Sequence, residues 1–169
     1  MLQDTNCYII YGFWGILLIL NCIILLLFQK RKKQLKRFSK QPILDMQFNY
    51  TKKSVAKYFN ELGIDGRKIY KKMITNLDMI FPVLYSLFFI YCYLAIYCFQ
   101  NNNTFSIFPL FIPILAMFFD YLENLYFLSF LKFHPILSEK EVKRSLIFTR
   151  LKWIFVLLSI LFLIYLLIF

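Results

Sequence analysis

Charged side chains are missing from three long stretches of this chain and nearly missing from a fourth. Residues 8–28 and 79–99 each run 21 positions without a charge, and residues 153–169 run 17. Residues 105–131 run 27 positions broken only by Asp120 and Glu123. A helix needs roughly 17–25 apolar residues to cross about 30 Å of hydrocarbon. All four stretches reach that length. The pattern predicts an all-α integral membrane protein, a four-transmembrane-helix bundle. The first stretch is too long for a cleavable signal peptide, and its basic run follows it instead of preceding it, so it reads as a retained signal anchor.

Between the first two stretches the period changes. Thr51 can cap a helix start, and Val55, Tyr58, Phe59 and Leu62 recur at i, i+3, i+4 and i+7, the apolar face of an amphipathic helix. Gly63 suits the position just past its end. Asp65 can cap a second helix carrying Ile69, Tyr70, Met73 and Leu77. Two short amphipathic helices are therefore expected beneath the membrane, docked on the bundle or on headgroups. A DNA-binding helix–turn–helix is the sharper reading, but the apolar face and the short tether to two spans disfavour it. After the third stretch, Pro135 interrupts the chain. Ser138 and Glu141 then have the spacing of a capping box, opening a helix that should run unbroken into the fourth span.

Composition strengthens this picture. The chain is 60% hydrophobic, with 21 Phe and 12 Tyr, against about 45–50% apolar in a typical soluble domain. Too little polar surface remains to cover four such helices in water. Three parts follow: an outer N-terminus and first transmembrane helix at 1–28, a basic cytoplasmic segment at 29–77, and a three-helix transmembrane unit at 78–169. The spans of the last part fall at about 78–99, 105–131 and 146–169, with a cytoplasmic loop at 132–145.

Charge then sets the orientation. Of 20 Lys and Arg, 14 lie between positions 30 and 72 and six between 132 and 152. The QNNNT connection at 100–104 and both ends of the chain have none. Basic loops stay on the cytoplasmic side, so both termini are expected to be non-cytoplasmic, in a bacterial inner membrane or a eukaryotic endomembrane. The net charge of +11 then belongs to the cytoplasmic face. Lys30, Arg31, Lys32, Lys33, Lys36 and Arg37 follow the first span directly. They are the candidate face for anionic lipid headgroups, at about 1 kcal/mol per basic residue, or for a protein partner. A nucleic-acid partner is not favoured.

The candidate chemistry is sparse. No metal-ligand spacing, nucleophile motif or cofactor motif is present, and only carboxylates are available for acid–base work. His134, the sole histidine, reads as an interfacial residue. Cys22 and Cys92 fall mid-span. Cys7 and Cys98 fall near the outer face, where a disulfide is open to them in an oxidising compartment, but unpaired thiols are the expectation.

The informative residues lie in the third span. At about 1.5 Å per residue, Asp120 and Glu123 sit roughly 18 and 14 Å from Lys132, near the middle of the core. A carboxylate there costs about 2.5–3.5 kcal/mol in lipid. Asp120, Glu123 and Asn124 share one helix face at i, i+3 and i+4, and such a stripe should turn into the bundle. Candidate partners are Asp78 at the entry to the second span, Tyr85 one or two turns above it, Asn21 in the first span, and Arg150 at the inner end of the fourth. Arg150 is expected either to snorkel outward or to reach Asp78 or Glu123. Lys152 and Trp153 read as interface anchors. Pro82 frees the Asp78 carbonyl from its helical bond and can kink the helix.

The segments GIDGRKIY, LDMIFPVLY, FFDYLENLYF and FTRLKW resemble a loose group of small uncharacterised four-span membrane proteins with LDxxFPxLY and FDxLEN-type motifs. The likeness covers roughly residues 50–169. It supports Asp78, Pro82, Tyr85, Asp120, Glu123, Asn124 and Arg150 as the residues to test and implies no mechanism. The leading functional expectation is a non-enzymatic membrane component, held by an intramembrane polar network, with a basic face for anionic lipid or a partner. The alternatives are a homo-oligomeric ion channel or proton-coupled transporter using Asp120 and Glu123, and a lipid-modifying membrane enzyme.

Overall fold

The computed structural model describes residues 2–100 and 107–168, with side chains from residue 7 onward. Residues 101–104 of the QNNNT connection and Phe169, both used above to set orientation, lie outside the described residues. The described residues form helices and no strand. They are α1 (Leu2–Leu35), α2 (Lys52–Met73), α3 (Phe81–Gln100), α4 (Phe111–Phe133) and α5 (Glu139–Ile168). Four helical runs are long and apolar enough to cross a membrane: Cys7–Leu35, Lys52–Gln100, Phe108–Phe133 and Glu139–Ile168.

The chain path puts the ends of α1 and α4 and the starts of α3 and α5 at one pole, the basic one. α3 is central, packing against α1, α4 and α5, and the most extensive pairing joins α4 to α5. At the opposite pole Cys7 and Cys98 form a disulfide, with Cα atoms 5.8 Å apart. This replaces the expectation of unpaired thiols: the α1–α3 pairing brings the two cysteines into register. Gln100 Nε2 donates to the Leu166 carbonyl nearby, at 2.7 Å.

At the basic pole the amphipathic pair folds back on the bundle. Thr51 caps α2 in a reciprocal box with Ser54, whose amide donates to Thr51 Oγ1 at 3.3 Å. The helix breaks at Gly63, with φ 60° and ψ −164°, a conformation open essentially to glycine alone. Gly66 lets the second arm close on the first: a Cβ there would meet the Leu62 side chain at 3.0 Å and the Phe38 ring at 3.2 Å. Val55, Tyr58, Phe59, Leu62, Tyr70 and Met73 are all buried, in one core with Phe28, Leu35, Phe127, Phe130, Leu137 and Val142. The apolar face of α2 is thus spent on the bundle and not left to headgroups. Asp65 pairs with Lys68 at 3.7 Å.

Between α2 and α3 the helix widens into a π turn at Ile74–Asp78, where the Met79 amide reaches back to the Ile74 carbonyl at 3.1 Å. Pro82, which cannot donate, sits in the first turn of α3. α5 runs unbroken from the exposed basic pole to the opposite pole. At its start Glu139 pairs with Lys143 at 2.9 Å. The Ser138–Glu141 box does not form among the described residues. At so exposed a helix start, water can reach the free amides.

Candidate functional site

The face of α4 carrying Asp120, Glu123, Asn124 and Phe127 is buried throughout. Opposite it, α5 buries Ser145, Thr149, Lys152 and Ser159, a stripe at intervals of four, three and seven residues that keeps one helix face. The two stripes meet. Lys152, only 5% exposed, forms a close ion pair with Glu123 Oε2, and its Nζ lies 3.5 Å from Asp120 Oδ1. Thr149 Oγ1 donates to Glu123 Oε1 at 2.5 Å. Glu123 is 0% exposed, and each of its oxygens has a donor.

The network extends on both sides. Tyr50 OH lies 2.8 Å from Ser145 Oγ and 3.0 Å from Thr149 Oγ1. A hydroxyl has one proton to give; with that of Thr149 on Glu123, Tyr50 is the donor to Thr149 or Ser145. Burial pushes the Tyr50 phenol up to about 12, so it keeps that proton at neutral pH. On the other side, Tyr85 OH donates to Asp120 Oδ2 at 3.3 Å. Asn124 Nδ2 uses one hydrogen on Asp120 Oδ1, at 3.2 Å, and the other on the Asp78 main-chain carbonyl, at 3.0 Å. That carbonyl is the one Pro82 leaves unbonded. One residue along, Tyr121 OH donates to the Met79 carbonyl at 2.8 Å. The broken entry to α3 is therefore repaired by two side chains of α4, three positions apart.

The structure gathers Asp78, Tyr85, Asp120, Glu123 and Asn124 at one place. It leaves Arg150 out. That residue is exposed, and its Nε donates to the Phe48 carbonyl at 3.1 Å. Two positions on a helix are about 200° apart, so when Lys152 faces inward Arg150 must face outward. The polar stripe of α5 was the signal that could have singled out Lys152. Asn21 is also elsewhere, donating to the Leu17 and Leu84 carbonyls at 2.8 and 3.1 Å. Of the basic face, Lys30, Lys33, Lys36 and Arg37 are exposed, Arg31 donates to Gln34 Oε1 at 3.1 Å, and Lys32 turns towards Met46 Sδ at 3.1 Å.

Sequence reasoning also missed Asp45. It lies on a 3₁₀ turn, Leu44–Met46, in a segment without periodicity. Its carbonyl accepts from Trp153 Nε1 at 3.1 Å, and its Oδ1 is buried with no hydrogen-bond partner among the described residues. Asp45, Asp78, Asp120 and Lys152 all face a cavity of about 420 Å³ between α1, α3 and α5. No set of three or more His, Cys, Asp or Glu among the described residues is placed to hold a metal ion. No family model, curated protein or solved structure matches the chain.

Proposed function

We propose that this chain is a four-span membrane protein with both termini non-cytoplasmic and no catalytic role of its own. Its intramembrane polar network locks the helices together, and its basic face binds anionic lipid. The observation that carries this reading is the saturation of Glu123: both oxygens are engaged, by Lys152 and Thr149, and none of its surface is exposed. A conducting or catalytic carboxylate needs access to an ion, proton or substrate, and this one has a lysine in the way. Polar contacts between spans are the forces that remain where lipid tails are as apolar as the helices.

Two features support the orientation. The exposed Lys30, Lys33, Lys36 and Arg37 lie at the pole that should face the cytoplasm. The Cys7–Cys98 disulfide lies at the other pole, where an oxidising compartment would preserve it.

The test is reconstitution. In liposomes the protein passes no ions or protons, and Asp120→Asn with Glu123→Gln lowers the yield of folded protein. A wild type that conducts, with a double variant that assembles normally but is silent, would overturn the reading in favour of a channel or transporter.

A further inference from the structure

We propose that the cavity between α1 and α5 is a binding site for a single-chain membrane amphiphile with a small primary-amine head. At about 420 Å³ it falls in the range of ligand pockets, roughly 300–1,000 Å³. Its wall is graded along the bundle axis. α1 runs towards the basic pole while α3 and α5 run away from it, so Gln29, Asp45 and Asp78 lie at the inner end beside Phe81 and Trp153, Tyr85 and Asp120 at mid-depth, and Leu25, Phe89 and Val156 at the outer end. A polar head and an apolar tail are matched in that order.

The charge of the inner end selects the head. Asp45 Oδ1 is buried with no hydrogen-bond partner among the described residues. No hydrogen bond or ion pair reaches the Asp78 carboxylate from them either; its main-chain oxygen is the atom Asn124 uses. Lys152 cannot serve both, because its ammonium is already on Glu123 and Asp120. The other cation on the wall, Lys32, stands at the inner rim against Met46 Sδ. Asp45, Asp78, Asp120 and Glu123 thus face two ammonium groups. The Asp45 and Asp78 carboxylates have no donor among the described residues, and a primary ammonium brings three donors and a positive charge.

The inner end of the cavity sets the size of the head. The Leu44–Met46 turn spans from α1 to α5, held by Lys32 on Met46 and by Trp153 on the Asp45 carbonyl. The turn adds Asp45 and Met46 to the inner wall, which leaves room there for a small head. A phosphocholine group would meet the turn, whereas an ammonium would stop at Asp45 and Asp78. The proposal rests on the membrane reading but not on the role given to Glu123 and Lys152.

The experiment uses the full chain in phosphatidylcholine nanodiscs, titrated with oleylamine, oleyl alcohol and oleic acid. The three share a tail and differ in the head. Bound adducts are counted by native mass spectrometry. Trp153 fluorescence is followed in a Trp14→Phe variant. The expected result is one saturable oleylamine site, about tenfold tighter than for the alcohol, as charge-assisted hydrogen bonds imply. Asp45→Asn with Asp78→Asn should remove that preference, and Leu25→Phe, which fills the outer end, should weaken binding of the tail. Equal binding of all three amphiphiles by the wild type would overturn the proposal, and this arm needs no variant to fold. An unchanged amine preference in the double asparagine variant would overturn it as well. Neither failure touches the ion pair, which the liposome test addresses separately.

Discussion

The layer at the basic pole and the layer of long apolar helices are held together by different means. At the basic pole, Val55, Tyr58, Phe59, Leu62, Tyr70 and Met73 close over Phe127, Phe130, Leu137 and Val142 in an aromatic core. Tyr58 meets Tyr70 edge-on at 5.7 Å, and Phe59 meets the His134 ring at 5.6 Å. Along the apolar helices, α1 and α5 turn Leu and Ile outward; Leu26 is 64% exposed and Leu161 51%. Buried there, beside Leu17, Tyr93, Ala116 and Leu166, are the polar Asp120, Glu123, Asn124, Thr149 and Lys152. Water drives apolar groups together in the first region. In the bilayer proposed for the second region, the tails would solvate Leu as well as a neighbouring helix does, so only polar contacts and close packing would discriminate. The same rule, hiding from the solvent what the solvent dislikes, gives an apolar core at one level and adds a polar cluster to it at the next.

The sharpest way to break that comparison is Lys152→Met. It leaves Glu123 buried without its counter-charge, and loss of one partner of a buried pair costs about 3–5 kcal/mol. Thermal unfolding in detergent should show a large loss of stability. Adding Glu123→Met should restore part of it, since an apolar pair of similar volume is often neutral, while Asp120 still lacks its cation. In the inner layer, Leu62→Ala should cost about 2–5 kcal/mol through a cavity, read from the same unfolding curves, and no second-site charge change should rescue it. Gly63→Ala should cost about 1–3 kcal/mol, because alanine is strained at that φ and ψ; protease nicking between the two arms of α2 is the readout. The smallest effect is on pH. Burial first, and then Arg67, lowers the pKa of His134 below its usual 6.5. The unfolded chain therefore takes up the proton first as pH falls. His134 contributes stability above about pH 6.5 that declines as pH drops towards the lowered value. Melting temperature measured from pH 7.5 to 5 should fall, and His134→Gln should flatten the curve. A flat wild-type curve would remove His134 from the inner core's energetics.

Much of this was legible from side-chain period alone. Thr51 as a cap and Gly63 as a helix end could be read because capping chemistry and positive φ are local properties. The Asp120–Glu123–Asn124 stripe could be read because i, i+3 and i+4 share a face in any α-helix. The release of the Asp78 carbonyl by Pro82 is covalent in origin, but which group would take that carbonyl was not written in the chain. Arg150 was favoured over Lys152 because counting from the end of a span gives depth and not azimuth. The Ser145–Thr149–Lys152–Ser159 stripe held the azimuth, but small hydroxyl residues are quiet signals in a helix otherwise apolar on every side. Asp45 had no periodic context at all.

By itself the sequence determined four apolar helical lengths, the asymmetry of basic charge, the amphipathic pair with its glycine break, and the face on which the carboxylates lie. These depend on composition and on the 3.6-residue period, which act within a segment. Only the tertiary structure decided that Lys152 is their partner, that Tyr50 and Asp45 are drawn in from a connecting segment, that Cys7 reaches Cys98, and that α2 covers the bundle. Each of those joins residues far apart in the chain, and such pairings are set by how whole helices rotate and pack against one another, a degree of freedom no local pattern constrains.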